Sequence, residues 1–178
     1  MIQVFNLNKS YGNQDVFRDV TFSLSPRDRV GLVGRNGYGK TTLFRLITNE
    51  ETPDTGQVVT PKDYKIGYVS QQMRFSEKEV LLEACMGLPL KQREESWQAK
   101  KILSGLGFPD AFLNLHPDQL SGGYQVRLNL AKVLLSQPNL LLLDEPTNYL
   151  DIVTLRWLER FLNNWSGEFI LISHDRSF

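Results

Sequence analysis

The sequence predicts an α/β fold with a mainly parallel core sheet flanked by helices, an N-terminal antiparallel β subdomain and an inserted helical lobe. Three observations carry that expectation. Short apolar strands alternate with helical patterns over the second half of the chain, which favours parallel strands joined by helices. A short apolar strand, a glycine-rich loop and a helical pattern follow one another over residues 30–47. The run Leu140-Leu141-Leu142-Leu143 ends abruptly in Asp144-Glu145, as a buried strand with a polar tip would.

Taken in order, Ile2, Val4, Phe5 and Leu7 form one apolar run, and Val20, Phe22 and Leu24 alternate with polar residues. Both read as strands, with Tyr11-Gly12-Asn13 as the turn between them. Residues 30–33 form a short strand ending at Gly34. From Lys40, the residues Leu43, Phe44, Leu46 and Ile47 make a helical face that Pro53, Asp54 and Gly56 close. Strands follow at 57–60 and 65–69. Beyond Gln71 the pattern turns helical. Val80, Leu81, Ala84, Cys85 and Leu88 share a face that Gly87 and Pro89 end, and a second helix is expected over 91–106. Residues 72–117 are thus read as the helical lobe, and 1–71 with 118–178 as the α/β core of one domain. The core resumes with a helix at 124–135, a strand at 140–143, a helix at 152–162 and a strand at 169–173.

Composition narrows the function classes. The chain has 178 residues, 41% apolar and 22% charged, with formal net charge zero. That length suits one domain with a sizeable core, and the balance gives no support for broad nucleic-acid binding. Cys85 is the single cysteine, so no disulfide forms within the chain, and a reducing cytoplasm is the natural setting. The longest apolar run, Leu140–Leu143, is far short of a membrane span, and the start MIQVFNLNKSYG has no signal-peptide pattern. Any action at a membrane is expected to go through a partner.

Gly34-Arg35-Asn36-Gly37-Tyr38-Gly39-Lys40-Thr41 matches G-x-x-x-x-G-K-[ST] and is followed by Thr42. A triphosphate needs several donors converging on one anionic chain. Glycines let the backbone curl so that successive N–H groups point inward, and the following helix offers its unpaired N–H groups and positive dipole end. Lys40 is placed to reach the β- and γ-phosphates and the Thr41 hydroxyl to ligate Mg²⁺. Tyr38 replaces the small residue usual at its place; its side chain is expected to point away from the phosphates. The strand tip supplies Asp144 to hold Mg²⁺ and Glu145 to orient or deprotonate the attacking water.

Leu120-Ser121-Gly122-Gly123-Tyr124-Gln125 opens a helix and resembles the ABC signature L-S-G-G-Q, with Tyr124 where Gln is usual. Together with the phosphate loop and the acidic strand tip, in the same order, it makes the chain similar to the nucleotide-binding domain of ABC ATPases from Tyr11 to Phe178. The resemblance implies a cassette that binds ATP with Mg²⁺ and closes on a second cassette. Ser121 and the backbone of Gly122 and Gly123 would then bind the γ-phosphate held by the opposite cassette. Tyr11 resembles the aromatic residue that stacks on adenine. Gln71, with Gln72 beside it, resembles the glutamine that contacts Mg²⁺ and water. Asp151 resembles the aspartate at the dimer seam, and His174 the switch histidine at the γ-phosphate. His116 has no such context and is read as surface or lobe packing.

Two classes of ABC protein fit. Glu145-Pro146-Thr147-Asn148-Tyr149-Leu150-Asp151 and Ser173-His174-Asp175-Arg176-Ser177-Phe178 resemble the soluble, tandem-cassette ABC-F class, which acts on ribosomes. The ATPase subunit of a membrane transporter, docked on a permease, is the alternative. An ATP-dependent switch with little turnover is a third possibility. The resemblance further implies that the chain is an N-terminal cassette lacking its last part. Its second cassette would be intramolecular in the full-length protein or supplied by a homodimer.

Overall fold

The computed structural model describes residues 1–35, 37–69 and 75–173, with Tyr149 described for its backbone only. The chain separates into two compact units. The first takes in Met1–Tyr68, Asn139–Glu145 and the segment from Ser166; the second takes in Val69–Pro138 and Pro146–Trp165.

In the first unit, β1 (Ile2–Tyr11) pairs antiparallel with β2 (Gln14–Leu24) and with β4 (Thr55–Val59), giving the order β2-β1-β4. Tyr11 pairs with Gln14, so Gly12 and Asn13 form a two-residue hairpin loop. A second sheet of β3 (Arg29–Leu32), β5 (Ile66–Tyr68), β6 (Leu140–Asp144) and β7 (Glu168–Ile172) is wholly parallel, in the order β3-β7-β6-β5. Helix α1 (Lys40–Ile47) turns Leu43, Phe44, Leu46 and Ile47 into one core with Ile2, Val4 and Leu7 of β1 and Leu140, Leu142, Ile170 and Ile172 of the parallel sheet. Phe44 meets Tyr68 edge-on at 5.8 Å. All four leucines of β6 are fully buried, which explains why this strand reads as a continuous apolar run rather than an alternating one.

The second unit is helical. It contains α2 (Val80–Cys85), α3 (Ser96–Gly105), α4 (Gly122–Leu135) and α5 (Ile152–Asn163). α4 packs on α2 and α3, and α3 reaches α5. The expected lobe segment lies in this unit, together with α4 and α5. A buried ion pair joins α2 to α4: the Lys132 ammonium donates to the Glu83 carboxylate, whose side chain is wholly enclosed. The backbone N–H groups of Ser76 and Glu77 also donate to it, each at 2.8 Å. Just beyond α2, a side chain at Gly87 would place its Cβ 2.3 Å from the Lys132 carbonyl oxygen, so glycine permits the close approach there.

Several boundaries differ from expectation. The second lobe helix starts at Ser96 rather than near 91, after a separate 3-10 turn at Leu90–Gln92. Residues 91–95, Lys-Gln-Arg-Glu-Glu, give no apolar anchor, and the first buried residue of the helix is Ala99. α4 starts at Gly122, two residues earlier than expected, directly after Ser121, whose backbone is extended (ψ 156°). The third strand ends at Leu32, leaving Val33 72% exposed. No helix of the described residues is long and apolar enough to cross a membrane.

Candidate functional site

The site is built where β3, β6 and α1 place three chain segments together. Gly39 caps α1 in the left-handed region, φ +85°, and a Cβ there would lie 2.3 Å from Val16 Cγ1. Only glycine lets the chain turn into the helix at this spot. The first α1 residues, Lys40, Thr41 and Thr42, therefore face a cleft of about 310 Å³ shared with Gly37 and Gly39. Asp144 and Glu145 enter it from the tip of β6, and Tyr11, Gln14 and Val16 from the hairpin. Gly34, Arg35 and Tyr38 do not line it. The Gly34 and Arg35 carbonyls instead accept from Lys40 Nζ at 2.8 and 3.0 Å, which holds the ammonium over the loop. Tyr38 is 69% exposed.

The Thr41 hydroxyl donates to Asp144 Oδ2 at 2.7 Å. Glu145 follows with φ +49°, a left-handed conformation that costs a non-glycine residue about 1–2 kcal/mol. Its N–H donates to the Ile172 carbonyl at 3.0 Å, so the parallel sheet enforces the turn. Strain held in this way by surrounding structure gathers at functional positions. Among the described residues, no group of three or more His, Cys, Asp or Glu assembles a protein-only metal cage. The Thr41 hydroxyl and Asp144 carboxylate form a hard oxygen pair. That donor set fits Mg²⁺, which takes few protein oxygens and completes its shell with water and phosphate.

Tyr11 is 47% exposed, and its hydroxyl donates to Glu51 Oε1 at 2.5 Å. Burial and the Glu51 contact push the Tyr11 hydroxyl above its ordinary range. The same hydrogen bond, helped by Lys9, holds the Glu51 carboxyl below its own. Glu51, Gln14 and Val16 gave no signal in the sequence. They reach the cleft region through the hairpin and the end of α1, not through a motif.

In the second unit, Ser121 stands at the N-cap of α4 with extended backbone, but its hydroxyl makes no capping bond. Ser121 and Gly122 are exposed and Gly123 half-buried. Asp151 caps α5, accepting from Val153 N at 3.1 Å and Thr154 N at 2.9 Å, and Arg127 of α4 donates to it at 3.3 Å. His116 caps the turn Pro117–Gln119: Asp118 N donates to its Nδ1 at 3.3 Å, and Gln119 Oε1 accepts from its N–H at 2.9 Å. Asn36, Gln71 and His174 lie outside the described residues.

The family model for the ABC transporter domain matches residues 17–148. The chain belongs to the ABC ATPase family. Relatives of this cassette include ABC transporter F family member 5 of Arabidopsis thaliana, 34% identical over 99% of the chain. The energy-dependent translational throttle protein EttA of Escherichia coli K12 is 39% identical over all of it. These matches cover 32% and 33% of those proteins, so the cassette spans about one third of their length. Among solved structures, a dimeric bacterial ABC transporter cassette superimposes with a TM-score of 0.79 at 25% identity, over 99% of this chain and 89% of that one. The fold is that of an ABC cassette.

Proposed function

We propose that this cassette binds Mg-ATP in the cleft at the start of α1 and hydrolyses it when closed against a second cassette. The observation that carries the reading is the convergence of Lys40, Thr41, Asp144 and Glu145 on one cleft opened by a helix N-terminus. Lys40 and the loop amides of residues 34–42 would neutralise charge on the β- and γ-phosphates, Lys40 exchanging its two carbonyl partners for phosphate oxygens. Thr41 and Asp144, with Gln71, would hold Mg²⁺, which when bound screens the phosphate charge and fixes the triphosphate's orientation. Glu145 would accept a proton from the attacking water or orient it, and His174 would align the γ-phosphate. Tyr11 would carry the adenine ring.

The second half of the site would come from the partner cassette. Ser121, with a hydroxyl not used in capping, and the N–H groups of Gly122 and Gly123 form the kind of helix start that binds anions. Opening and closing of the pair is then the output. The dimeric state of the related bacterial cassette supports such a pairing.

The 145–151 run and the identity to a plant ABC transporter F family member favour an ABC-F protein in the cytoplasm. The relative named as a translational throttle favours the ribosome as partner. The match to the ABC transporter family model favours, as a second reading, the ATPase subunit of a permease complex.

The test is Glu145→Gln, assayed for single-turnover phosphate release and ATP affinity. Turnover should fall at least a hundredfold, the scale of general acid–base catalysis, with ATP binding retained. Undiminished phosphate release would remove Glu145 from its role. Lys40→Ala in parallel should weaken ATP binding itself.

A further inference from the structure

We propose that Glu51 and Lys9 are positioning residues for base recognition: they fix Tyr11 so that one face of its ring is backed by an ammonium and the other is offered to a purine. This rests on the reading of Tyr11 as the base platform and adds what sets the platform.

Tyr11 closes β1 at a hairpin turn, where a half-exposed side chain has room for several rotamers. Its hydroxyl is nevertheless held by Glu51 Oε1 at 2.5 Å. Lys9 lies two residues earlier on the same strand and so on the same face. Its Nζ stands 5.2 Å from the centre of the Tyr11 ring. That ammonium is fixed in turn by Glu51 at 3.1 Å, the Thr52 carbonyl at 3.0 Å and Asp54 at 3.6 Å. Tyr11 lines the cleft and Lys9 does not; the base is assigned the ring face that the ammonium leaves open. Glu51 therefore serves two partners, the hydroxyl of the ring and the cation over it. Its own N–H donates to the Arg45 carbonyl at 3.1 Å, at the end of the helix that starts at the phosphate loop. Platform and phosphate loop are thus set from the two ends of one short helix.

The chemistry selects a purine nucleoside triphosphate. A cation on one face of an aromatic ring draws on its π density, which favours a large, electron-rich base on the other face. The experiment compares affinities for Mg-ATP, Mg-CTP and Mg-tripolyphosphate by calorimetry on the whole chain and on E51A, E51Q, K9M and Y11A. E51A and K9M should lower ATP affinity roughly three- to tenfold and narrow the ATP-over-CTP preference. Tripolyphosphate affinity should not move. E51Q, whose amide oxygen still accepts from Tyr11, should recover most of the loss. Unchanged ATP affinity in E51A overturns the proposal. So does an equal fall for ATP and tripolyphosphate, because Glu51 would then act through the fold of α1. Y11A separates the underlying reading: if it binds ATP as tightly as the parent, Tyr11 is no base platform and both ideas fall together.

Discussion

The Thr41 hydroxyl and the Asp144 carboxylate meet at 2.7 Å, joining the first turn of α1 to the tip of β6. This places a hydroxyl and a carboxylate oxygen side by side at the edge of the cleft. If they serve Mg²⁺, their worth must depend on the metal.

The expected outcome for Asp144→Asn is a loss of Mg²⁺-dependent ATP affinity with little change in chelator. Thr41→Val should lose roughly tenfold in Mg²⁺, about 1.4 kcal/mol, and almost nothing without it. Nucleotide titrations with Mg²⁺ and with EDTA would decide this. Equal losses in both conditions would mean that the pair only braces α1 against β6.

Much of this site was legible because its signals are local. Gly39, Lys40 and Thr41 announce a loop-to-helix turn within three residues, and Asp144-Glu145 stand out against four buried leucines. The parallel strands were likewise written as compact apolar runs. Other features were not legible because their partners are remote. Glu83 reads as an ordinary helix-surface acid, and only the fold brings Lys132, 49 residues away, to its carboxylate. The Tyr11–Glu51 contact spans 40 residues and leaves no periodic trace. The strain at Glu145 was invisible for another reason. It arises from the Ile172 carbonyl taking the Glu145 N–H, a backbone event that no residue type encodes.

Glu83 makes stability depend on acid. Burial opposes its charge, but the Lys132 ammonium and the Glu77 and Ser76 N–H groups more than offset that, holding the carboxyl below its ordinary value of 4.5. A folded pKa below the unfolded one means the unfolded chain binds the proton more readily. The contribution is therefore complete above about pH 4.5 and is lost as pH falls through the folded value. Glu83→Ala should cost about 3 kcal/mol at pH 7, the low end for a broken buried pair, since the Lys132 side chain keeps 23% exposure. Urea unfolding at pH 7 and at pH 4 would show the gap between parent and variant narrowing in acid. A gap independent of pH would mean that Glu83 contributes by packing alone.

Tyr124 stands where the signature usually has Gln, and its surroundings account for the exchange. Its ring meets Phe108 and Phe112 edge-on, each at 5.1 Å, and Arg127 lies 5.0 Å from the ring centre. Its hydroxyl donates to the Gly107 carbonyl at 3.3 Å. The side chain thus fastens the start of α4 to the segment after α3, while Arg127 also reaches the Leu106 carbonyl and Asp151. Two edge-on ring pairs at about 0.5–1.5 kcal/mol each, together with the apolar area of the ring, put Tyr124→Gln at about 2–3 kcal/mol of destabilisation. Tyr124→Phe keeps the rings and removes only the long hydroxyl bond, so its cost should stay below about 1 kcal/mol. Chemical denaturation of both variants would test the ranking. If Gln at 124 were as stable as Tyr, the aromatic cluster would not be what retains tyrosine there, and the hydroxyl bond to Gly107 would be too weak to take its place.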